Sequence, residues 1–551
     1  MKRLIGSARA LGGLSMLLLA AGCGDRPAEF DVAFDAARKD NKDPTDPTRD
    51  LQVRGLTGSV ALLDANLNQV MMFTSPKPLE LATTRLPVGK DVVQFKTSVK
   101  HDKLFVLSRG VTPRYKESDE KPQLLVFDGG TTPQQLQQVE LQDPYNELEV
   151  DPQGEWLLVH GSGGLVSNPN ELLLVRLGEG TDAEASLTSK TLGSYGGKPL
   201  RFTFTSELSV PGAAKRRLLI VQREKDLAII DLARPNDPEI TVALPEDKTP
   251  VDVVYHDGIE GEVGSMLGVQ LDGYTNVDLL TINAAESPDH AFSVHPNLVD
   301  VGGVPTKLDF VQTRKDGGLR LAALVPQKQI AKLIDPSSGV AQEVPLHAAF
   351  SKIRRITNDV SERSGEDIAL LYGEATNTIA FWRLGITTGT PYHSIEAYDI
   401  GIKVGHVFDI PNHQSDAFAD RKILSGTSGG ATQQFYVLDL TQQKSFPLDA
   451  LTNLTLNLSP NGQQLWAFGA DRGFAQLTFD PLQPASLYTE QRIAFVHDFA
   501  TLAGDDARSV MALHILPVRG HGSVAATLFD GVNPSTARTK FYSELELEGV
   551  K

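Results

Sequence analysis

The chain has 551 residues, with 69 acidic against 52 basic side chains and a formal net charge of −17. This acidic excess disfavours binding to nucleic acid and electrostatic attachment to anionic lipid. Cys23 is the only cysteine, so no intramolecular disulfide can form and the fold must be stabilised by its apolar core. With 41% hydrophobic residues, the chain is long enough to bury a large core.

Residues 1–22 have the features of an export signal. Lys2, Arg3 and Arg9 make the start basic, and an apolar run at 11–21 leads to small residues in front of Cys23. A membrane span needs about 20 apolar residues, roughly twice the length of this run. Residues 1–22 are therefore predicted to be a signal peptide that is removed on export.

The segment at 17–23, Leu-Leu-Leu-Ala-Ala-Gly-Cys, resembles the lipobox of bacterial lipoproteins, with Ala20 where leucine is commoner. The resemblance implies cleavage before Cys23 and lipidation of its thiol by more than one acyl chain, which gives a lasting membrane anchor. Removing residues 1–22 takes away three basic and no acidic residues, so the net charge changes from −17 to −20. We expect a lipoprotein at the periplasmic face of the outer membrane, with the cell surface as the alternative.

Residues 23–54 are predicted to be a lipidated, flexible tether. The stretch at 40–50 contains no apolar residue and two prolines. Such a segment cannot bury enough surface to offset its ordering entropy. Its aspartates suggest a calcium loop, but the prolines and the lack of a central glycine argue against an EF-hand.

From residue 59 onward, short apolar runs repeatedly end in a large apolar residue followed by aspartate. An aspartate at a strand end can accept a hydrogen bond from the backbone N–H two residues later, forming an Asx-turn. We therefore interpret these aspartates as turn-forming residues and not as catalytic acids. Successive gaps of 103, 104 and 104 residues, each with a degenerate copy near its middle, give a period of about 52 residues. The aspartates are Asp64, Asp128, Asp231, Asp335, Asp439, Asp480 and Asp530.

Nine further apolar runs precede these strands, and each pair of runs predicts a hairpin with an inner and an outer strand. Short strands that repeat without helices predict an all-β fold, a single β-propeller at 55–551. Eight blades are favoured, with seven and nine as alternatives, and the pair at 59–73 is expected to close the ring with the strand at 540–547. The inner-strand runs lie at 104–107, 156–159, 218–221, 266–269, 319–324, 368–371, 423–424, 465–468 and 510–513.

The motif Leu-Ser-Pro-Asn-Gly at 458–462, followed by Leu-Trp-Ala-Phe at 465–468, resembles the "SPDG then strand" signature of bacterial WD40-like and YVTN-type β-propellers. The segments at 60–73 and 435–448 resemble the outer strand, aspartate turn and return strand of that family. The resemblance implies a propeller fold and no particular activity.

Two glycine-rich motifs are candidates for chemistry. Residues 426–430, Gly-Thr-Ser-Gly-Gly, fit the pattern G-x-S-x-G, but the hydrolase elbow requires a helix after the serine, and another strand is predicted there. Residues 161–164, Gly-Ser-Gly-Gly, lack the lysine and the helix of a phosphate-binding loop. Both motifs are predicted to be loops that connect strands.

His406, Asp409 and His413 offer two imidazoles and a carboxylate within eight residues, which zinc could use in principle. No third imidazole or further acid is placed nearby in the sequence to complete a metal site. The three residues are therefore weak metal candidates, and we favour the interpretation that the histidines lie on the surface. His514 is predicted to lie in a strand and His521 in a turn. No metal, cofactor or catalytic residue is expected.

The insertion at 112–122 separates two strands that elsewhere are joined by about five residues. Long loops on a rigid scaffold are where binding residues tend to occur. Arg114, Tyr115 and Lys116 at its centre are therefore candidates for a binding loop, and a solvated insertion without function is the alternative. The connections at 160–170 and 411–421 are comparably long.

These observations favour a lipid-anchored cell-envelope β-propeller that acts as a protein- or glycan-binding scaffold. Its expected partners are the membrane, through Cys23, and an envelope protein or polysaccharide, because no catalytic constellation is visible in a repeat fold often used for binding. One alternative is an envelope hydrolase or lyase that assembles its residues from several loops. Another is a surface-displayed sensor or adhesin.

Overall fold

The structure is a computed structural model that describes residues 53–543 with gaps, the longest of them at 357–367, 385–393, 410–420, 479–488 and 494–508. Side chains are described only up to residue 445. The predicted signal peptide, Cys23 and nearly all of the predicted tether lie outside the described residues. The first strand begins at Val53, two residues before the predicted boundary at 55.

Ten antiparallel sheets, numbered 1 to 10, follow one another along the described residues. Each sheet is built from consecutive strands, four in sheets 1 to 9 and three in sheet 10. Two short 3-10 turns, Ser194–Gly196 and Pro326–Lys328, are the helical elements of the described chain. Sheets 1 to 3 comprise β1 Val53–Gly55, β2 Val60–Asp64, β3 Gln69–Lys77, β4 Glu80–Pro87; β5 Val92–Thr97, β6 Lys103–Ser108, β7 Gln123–Asp128, β8 Gln135–Glu140; β9 Glu147–Val150, β10 Trp156–His160, β11 Glu171–Arg176 and β12 Ser186–Thr191.

The remaining sheets repeat the pattern. Sheets 4 to 7 comprise β13 Pro199–Leu208, β14 Arg216–Arg223, β15 Asp226–Asp231, β16 Ile240–Ala243; β17 Pro250–His256, β18 Met266–Leu271, β19 Asn276–Ala284, β20 Phe292–Asp300; β21 Lys307–Thr313, β22 Gly318–Val325, β23 Ile330–Ile334, β24 Ala341–Pro345; β25 Lys352–Ile356, β26 Ile368–Tyr372, β27 Thr378–Arg383 and β28 Ser394–Asp399. Sheets 8 to 10 comprise β29 Lys403–Asp409, β30 Arg421–Ser428, β31 Thr432–Asp439, β32 Lys444–Pro447; β33 Leu454–Leu458, β34 Gln464–Gly469, β35 Phe474–Thr478, β36 Thr489–Ile493; β37 Ser509–Leu516, β38 Ser523–Phe529 and β39 Arg538–Ser543.

The second and third strands of the sheets are the most apolar ones. β6 and β7 are buried at nearly every position, whereas β8, the fourth strand of sheet 2, alternates between buried and exposed residues. A strand that is covered on both faces has a continuous apolar sequence, because neither face meets water. The core accordingly lies between neighbouring sheets, and one cluster joins Leu107 of sheet 2 to Leu157 of sheet 3.

First strands of successive sheets lie next to one another. β5 contacts β9, β13 contacts β17, and β17 and β25 both contact β21. At the ends of the series, β37 lies against both β33 and β1. Four-stranded sheets that follow in chain order and share a line of first strands have the architecture of a β-propeller.

Three details of this architecture differ from what the sequence predicted. Eight of the nine apolar runs predicted as inner strands are the second strands of their sheets, and the ninth lies in β37. The favoured count of eight blades is not confirmed, because the described residues form ten sheets. The pair at 59–73 and the strand at 540–547 were predicted to close the ring together; in the structure β1–β4 form a sheet of their own, separate from β37–β39, and β1 lies against β37.

The predicted role of the aspartates is confirmed at three of the seven positions. Asp64 and Asp439 end β2 and β31, but their side chains are not described, and Asp480 and Asp530 lie outside the described residues. Equivalent turns also follow two fourth strands, at Asp300 and Asp399. The confirmed Asx-turn bonds run from Gly130 N–H to Asp128 at 3.0 Å, from Ala233 N–H to Asp231 at 2.9 Å, and from Ser337 N–H to Asp335 at 2.9 Å.

Side chains of one first strand also bind the backbone of the next. Each first strand is a sheet edge, and the carbonyl groups along such an edge need hydrogen-bond donors. Arginine, lysine and glutamine supply them. The bonds are Arg54 to Phe95 O at 3.0 Å, Gln94 to Asn146 O at 2.9 Å, Lys96 to Leu148 O at 2.5 Å, Lys352 to Gly405 O at 2.7 Å, Arg354 to Val407 O at 2.6 Å, and Arg201 to Val251 O.

The described residues contain no helix with the length and apolar character that crossing a bilayer requires.

Candidate functional site

The strand order places the connections of each sheet at two opposite ends. Loops from second to third strands and connections to the next sheet share one end, which we call the upper face; the remaining turns form the lower face. Backbone hydrogen bonds join the two kinds of upper connection, as from Gly110 N–H to Lys90 O at 3.0 Å and from Lys225 N–H to Gly196 O at 3.0 Å. The predicted binding loop, between β6 and β7, therefore belongs to the upper face.

The base of this loop is held by the connection that precedes β5. Arg109 lies 2.7 Å from the Asp91 carboxylate, and Glu120 accepts a hydrogen bond from Lys90 N–H at 3.0 Å. Gly110 has a φ of +65°, and a Cβ there would lie 2.3 Å from Glu120 O. Only glycine fits both the backbone conformation and this close approach.

The tip of the loop is ordered by one carboxylate. Asp119 accepts hydrogen bonds from the backbone N–H groups of Tyr115 and Lys116, both at 2.9 Å. These two bonds, followed by the nearby positive charges of Arg114 and Lys90, lower the pKa of Asp119. The carboxylate is therefore charged at neutral pH and fixes the backbone on which Tyr115 stands.

The loop presents the three predicted residues to solvent. Tyr115 is 85% exposed, and Arg114 and Lys116 on either side of it are also exposed. Because the loop is already ordered, burying its large aromatic side chain against a partner costs little additional conformational entropy.

A second exposed tyrosine lies on the same face. Tyr195 is 95% exposed and sits in the 3-10 turn between β12 and β13. The turn lies on a buried ion pair, because a Cβ at Gly196 would be 2.2 Å from Asp226 Oδ1, and Arg223 donates to Asp226 Oδ2 at 2.6 Å. Arg223 also donates to Gly193 O, which fixes the start of the turn.

We call the loop at 109–122 and the turn at 193–197 together the tyrosine surface. Tyrosine and arginine are enriched where proteins bind one another, because each combines a large contact area with hydrogen-bonding groups. Sequence reasoning identified the loop from its length but missed Tyr195. The signal was present in Gly-Ser-Tyr-Gly-Gly at 193–197, where an aromatic residue stands alone among turn-forming residues.

The predicted metal candidates are not brought together among the described side chains. His406 lies in β29 and is exposed; Asp409 ends the same strand, but its side chain is not described, and His413 lies outside the described residues. The described part of the chain holds no group of three histidine, cysteine, aspartate or glutamate residues placed to bind a metal ion.

Of the two glycine-rich motifs predicted to be loops, residues 161–162 lie in the connection after β10, whereas residues 426–428 belong to strand β30 and residues 429–430 lie outside the described residues. Residues 426–428 end β30, which pairs with β31 as a hairpin. A Cβ at Gly426 would lie 2.3 Å from Lys403 O, so this glycine allows the close approach of the first strand β29. Gly161 follows β10, and its Cβ would meet the side chain of Val166 at 2.2 Å. His514 lies in strand β37, also as predicted, whereas His521 lies outside the described residues.

No family model and no curated protein matches the chain. Among solved structures, dihydro-heme d1 dehydrogenase NirN in complex with DHE is 13% identical, with 74% of each chain covered and a TM-score of 0.38. A eukaryotic initiation factor is 13% identical over 80% of this chain and 87% of its own, with a TM-score of 0.34. Sqt1 of Saccharomyces cerevisiae is 9% identical over 82% and 96%, with a TM-score of 0.35. At these values the similarities carry no argument about ligand, partner or reaction.

Proposed function

We propose that the protein is a lipid-anchored cell-envelope β-propeller that serves as a binding scaffold, with an envelope protein or polysaccharide as its partner. Its sheets provide a rigid frame, and its anchor is the lipidated Cys23 implied by the lipobox resemblance. We place the protein at the periplasmic face of the outer membrane.

The observation that supports a binding role is the ordered loop that holds Tyr115 in solvent. A solvated insertion without function needs no internal order, yet this loop has a hydrogen-bonded tip and a glycine-dependent base. Tyr195 supports the same conclusion independently, since it occupies a turn fixed by a buried ion pair on the same face.

Site-specific crosslinking in living cells tests the binding role. A photoreactive benzoylphenylalanine would replace Tyr115 or Tyr195 on the upper face, and Val340 as a matched control on the lower face. Val340 is 64% exposed and lies in the turn between β23 and β24, so it is also accessible to a partner.

We expect the same adduct from positions 115 and 195, and not from position 340. A protein partner would give a band of defined mass, whereas a polysaccharide would give a heterogeneous smear. Absence of any adduct at 115 and 195, or equal adducts at all three positions, would contradict the proposal.

The anchor is tested separately by Cys23→Ser and cell fractionation. The variant should move from the membrane to the soluble exported fraction, because acyl chains provide the attachment. Protease treatment of intact cells then distinguishes the periplasmic face from the cell surface.

A further inference from the structure

A polar groove opens on the lower face, between sheets 2 and 3. It has a volume of about 610 Å³ and lies between the hairpin that joins β5 to β6 and the turn that joins β9 to β10. This volume falls within the range typical of sites for small molecules. The groove is on the opposite face from the tyrosine surface and is independent of it.

The groove is lined by three basic side chains, Lys100, Lys103 and Arg176. Within the described part of the chain, no carboxylate forms an ion pair with any of the three. They come from two different sheets, so their convergence is not visible in the sequence. A cluster of cations is unexpected here, because the whole chain carries a net charge of −17.

The two carboxylates of the groove are already engaged. Asp102 accepts a hydrogen bond from Ser98 Oγ at 2.6 Å, within its own hairpin. Glu155 accepts one from Arg217 Nη1 at 2.6 Å, across to sheet 4. Both acids therefore have local partners, and the three cations remain available to a ligand.

Arg176 is positioned for recognition. Its guanidinium carbon lies 5.9 Å from the centre of the Trp156 ring, and this indole is buried. A guanidinium held over an aromatic face keeps its planar set of donors, which match the oxygens of a carboxylate or phosphate. Gln153 and Ser186 add uncharged hydrogen-bonding groups to the wall.

We propose that this groove binds a small anionic ligand, a sugar that carries a carboxylate or phosphate group. The anion would lie between Arg176 and the two lysines, and its hydroxyls would face the uncharged polar wall. The net charge of the protein would repel such a ligand at long range, so binding depends on these three side chains.

Calorimetric titration of the mature chain with Cys23→Ser tests the proposal. The probes are glucuronic acid, glucose 6-phosphate, inorganic phosphate and, as the uncharged control, glucose. We expect at least one anionic sugar to bind with a dissociation constant at or below about 10 mM, and we expect salt to weaken that binding. Glucose should not bind. A carboxylate ligand and a phosphate ligand are distinguished by which of the two anionic sugars binds, and inorganic phosphate reports whether the sugar contributes.

Arg176→Gln should weaken binding by about tenfold or more, because charge-assisted hydrogen bonds are lost. Arg176→Lys should recover part of the affinity. The double variant Lys100→Gln/Lys103→Gln tests the other side of the groove without altering the contact with Trp156. Lys121→Gln is the matched control, since Lys121 pairs with Glu140 outside the groove and the change in net charge is the same as for Arg176→Gln.

Failure of every anionic probe to bind would overturn the proposal. Equal binding of glucose and the anionic sugars would overturn it as well, as would equal weakening by Lys121→Gln and Arg176→Gln.

Discussion

Lys96 in β5 donates a hydrogen bond from Nζ to the carbonyl oxygen of Leu148 in β9, at 2.5 Å. Leu148 is fully buried, and β9 is the edge strand of sheet 3. A carbonyl at such an edge costs free energy when it has no donor. Lys96 therefore satisfies the backbone of the neighbouring sheet, which explains why a basic residue occurs in this strand of an acidic protein.

Lys96→Met should lower the free energy of unfolding by about 1–2 kcal/mol, because it keeps the aliphatic stem and removes the donor from a buried acceptor. Urea denaturation measures the change. Lys100→Met is the control, since Lys100 is exposed in the hairpin that follows β5. Equal free energies of unfolding for the Lys96 and Lys100 variants would show that the hydrogen bond from Lys96 to Leu148 does not contribute to stability.

His160 is expected to make the stability of the protein depend on pH. Burial, with the nearby Lys96 charge as the second cause, lowers its pKa from 6.5 to about 4. The unfolded chain then binds a proton between pH 6.5 and pH 4 that the folded chain does not bind. The contribution is fully present above pH 6.5 and is lost as the pH falls toward 4, with a total of up to about 3 kcal/mol.

Denaturation curves between pH 4 and pH 8 test this expectation. His160→Leu should remove the His160 part of the pH dependence, because leucine does not titrate. Leucine also suits the apolar environment, since the centres of the His160 and Phe202 rings lie 4.5 Å apart. His347→Leu, at an exposed position, is the matched control variant. A His160 pKa of 6 or above in the folded protein, measured by NMR, would refute the prediction.

Asp278 should show the opposite pH dependence. It is almost fully buried in β19, and burial raises its pKa from 3.8 to about 6, although the Asn297 backbone N–H acts in the other direction. The folded chain therefore binds the extra proton between pH 3.8 and pH 6, and its stability falls as the pH rises through that window. Asp278→Asn should raise the free energy of unfolding at pH 7 by about 1–2 kcal/mol, by removing a buried charge.

The gain from Asp278→Asn should vanish near pH 4, where the folded carboxyl group is already protonated. Asp272→Asn, in the exposed turn after β18, is the matched control and should change stability little. A destabilised Asp278→Asn variant at pH 7 would mean that the charged carboxylate has a stabilising partner.

The fold was predictable from the sequence to the extent that its strands are apolar. Second and third strands such as β6 and β7 are covered on both faces, so their sequences are continuous apolar runs. First strands are partly exposed sheet edges, and β9 has the sequence Glu-Leu-Glu-Val. Such a strand has no clear apolar signal, so the sequence showed two strands of each sheet and miscounted the sheets.

The candidate site was predictable from the sequence only where the length of a connection between strands reveals it. The loop that carries Tyr115 is long, and its length marked it. The groove between sheets 2 and 3 was not predictable, because Lys100 and Arg176 are 76 positions apart and meet only when the sheets pack. The same holds for Tyr195, whose exposure depends on the buried pair of Arg223 and Asp226 beneath its turn.

Gly110 and Gly154 both have a positive φ, +65° and +77°, but only Gly110 is crowded. A Cβ at Gly110 would lie 2.3 Å from Glu120 O, whereas nothing lies within 4 Å of a Cβ at Gly154. Gly154→Ala should therefore cost only the backbone strain, about 1–2 kcal/mol. Gly110→Ala should cost more and should also displace the base of the Tyr115 loop.

Limited trypsin digestion at Arg114 and Lys116 measures that displacement, since an ordered loop resists cleavage. We expect faster cleavage in Gly110→Ala and wild-type cleavage in Gly154→Ala; equal rates in both variants would mean that the close approach to Glu120 does not order the loop.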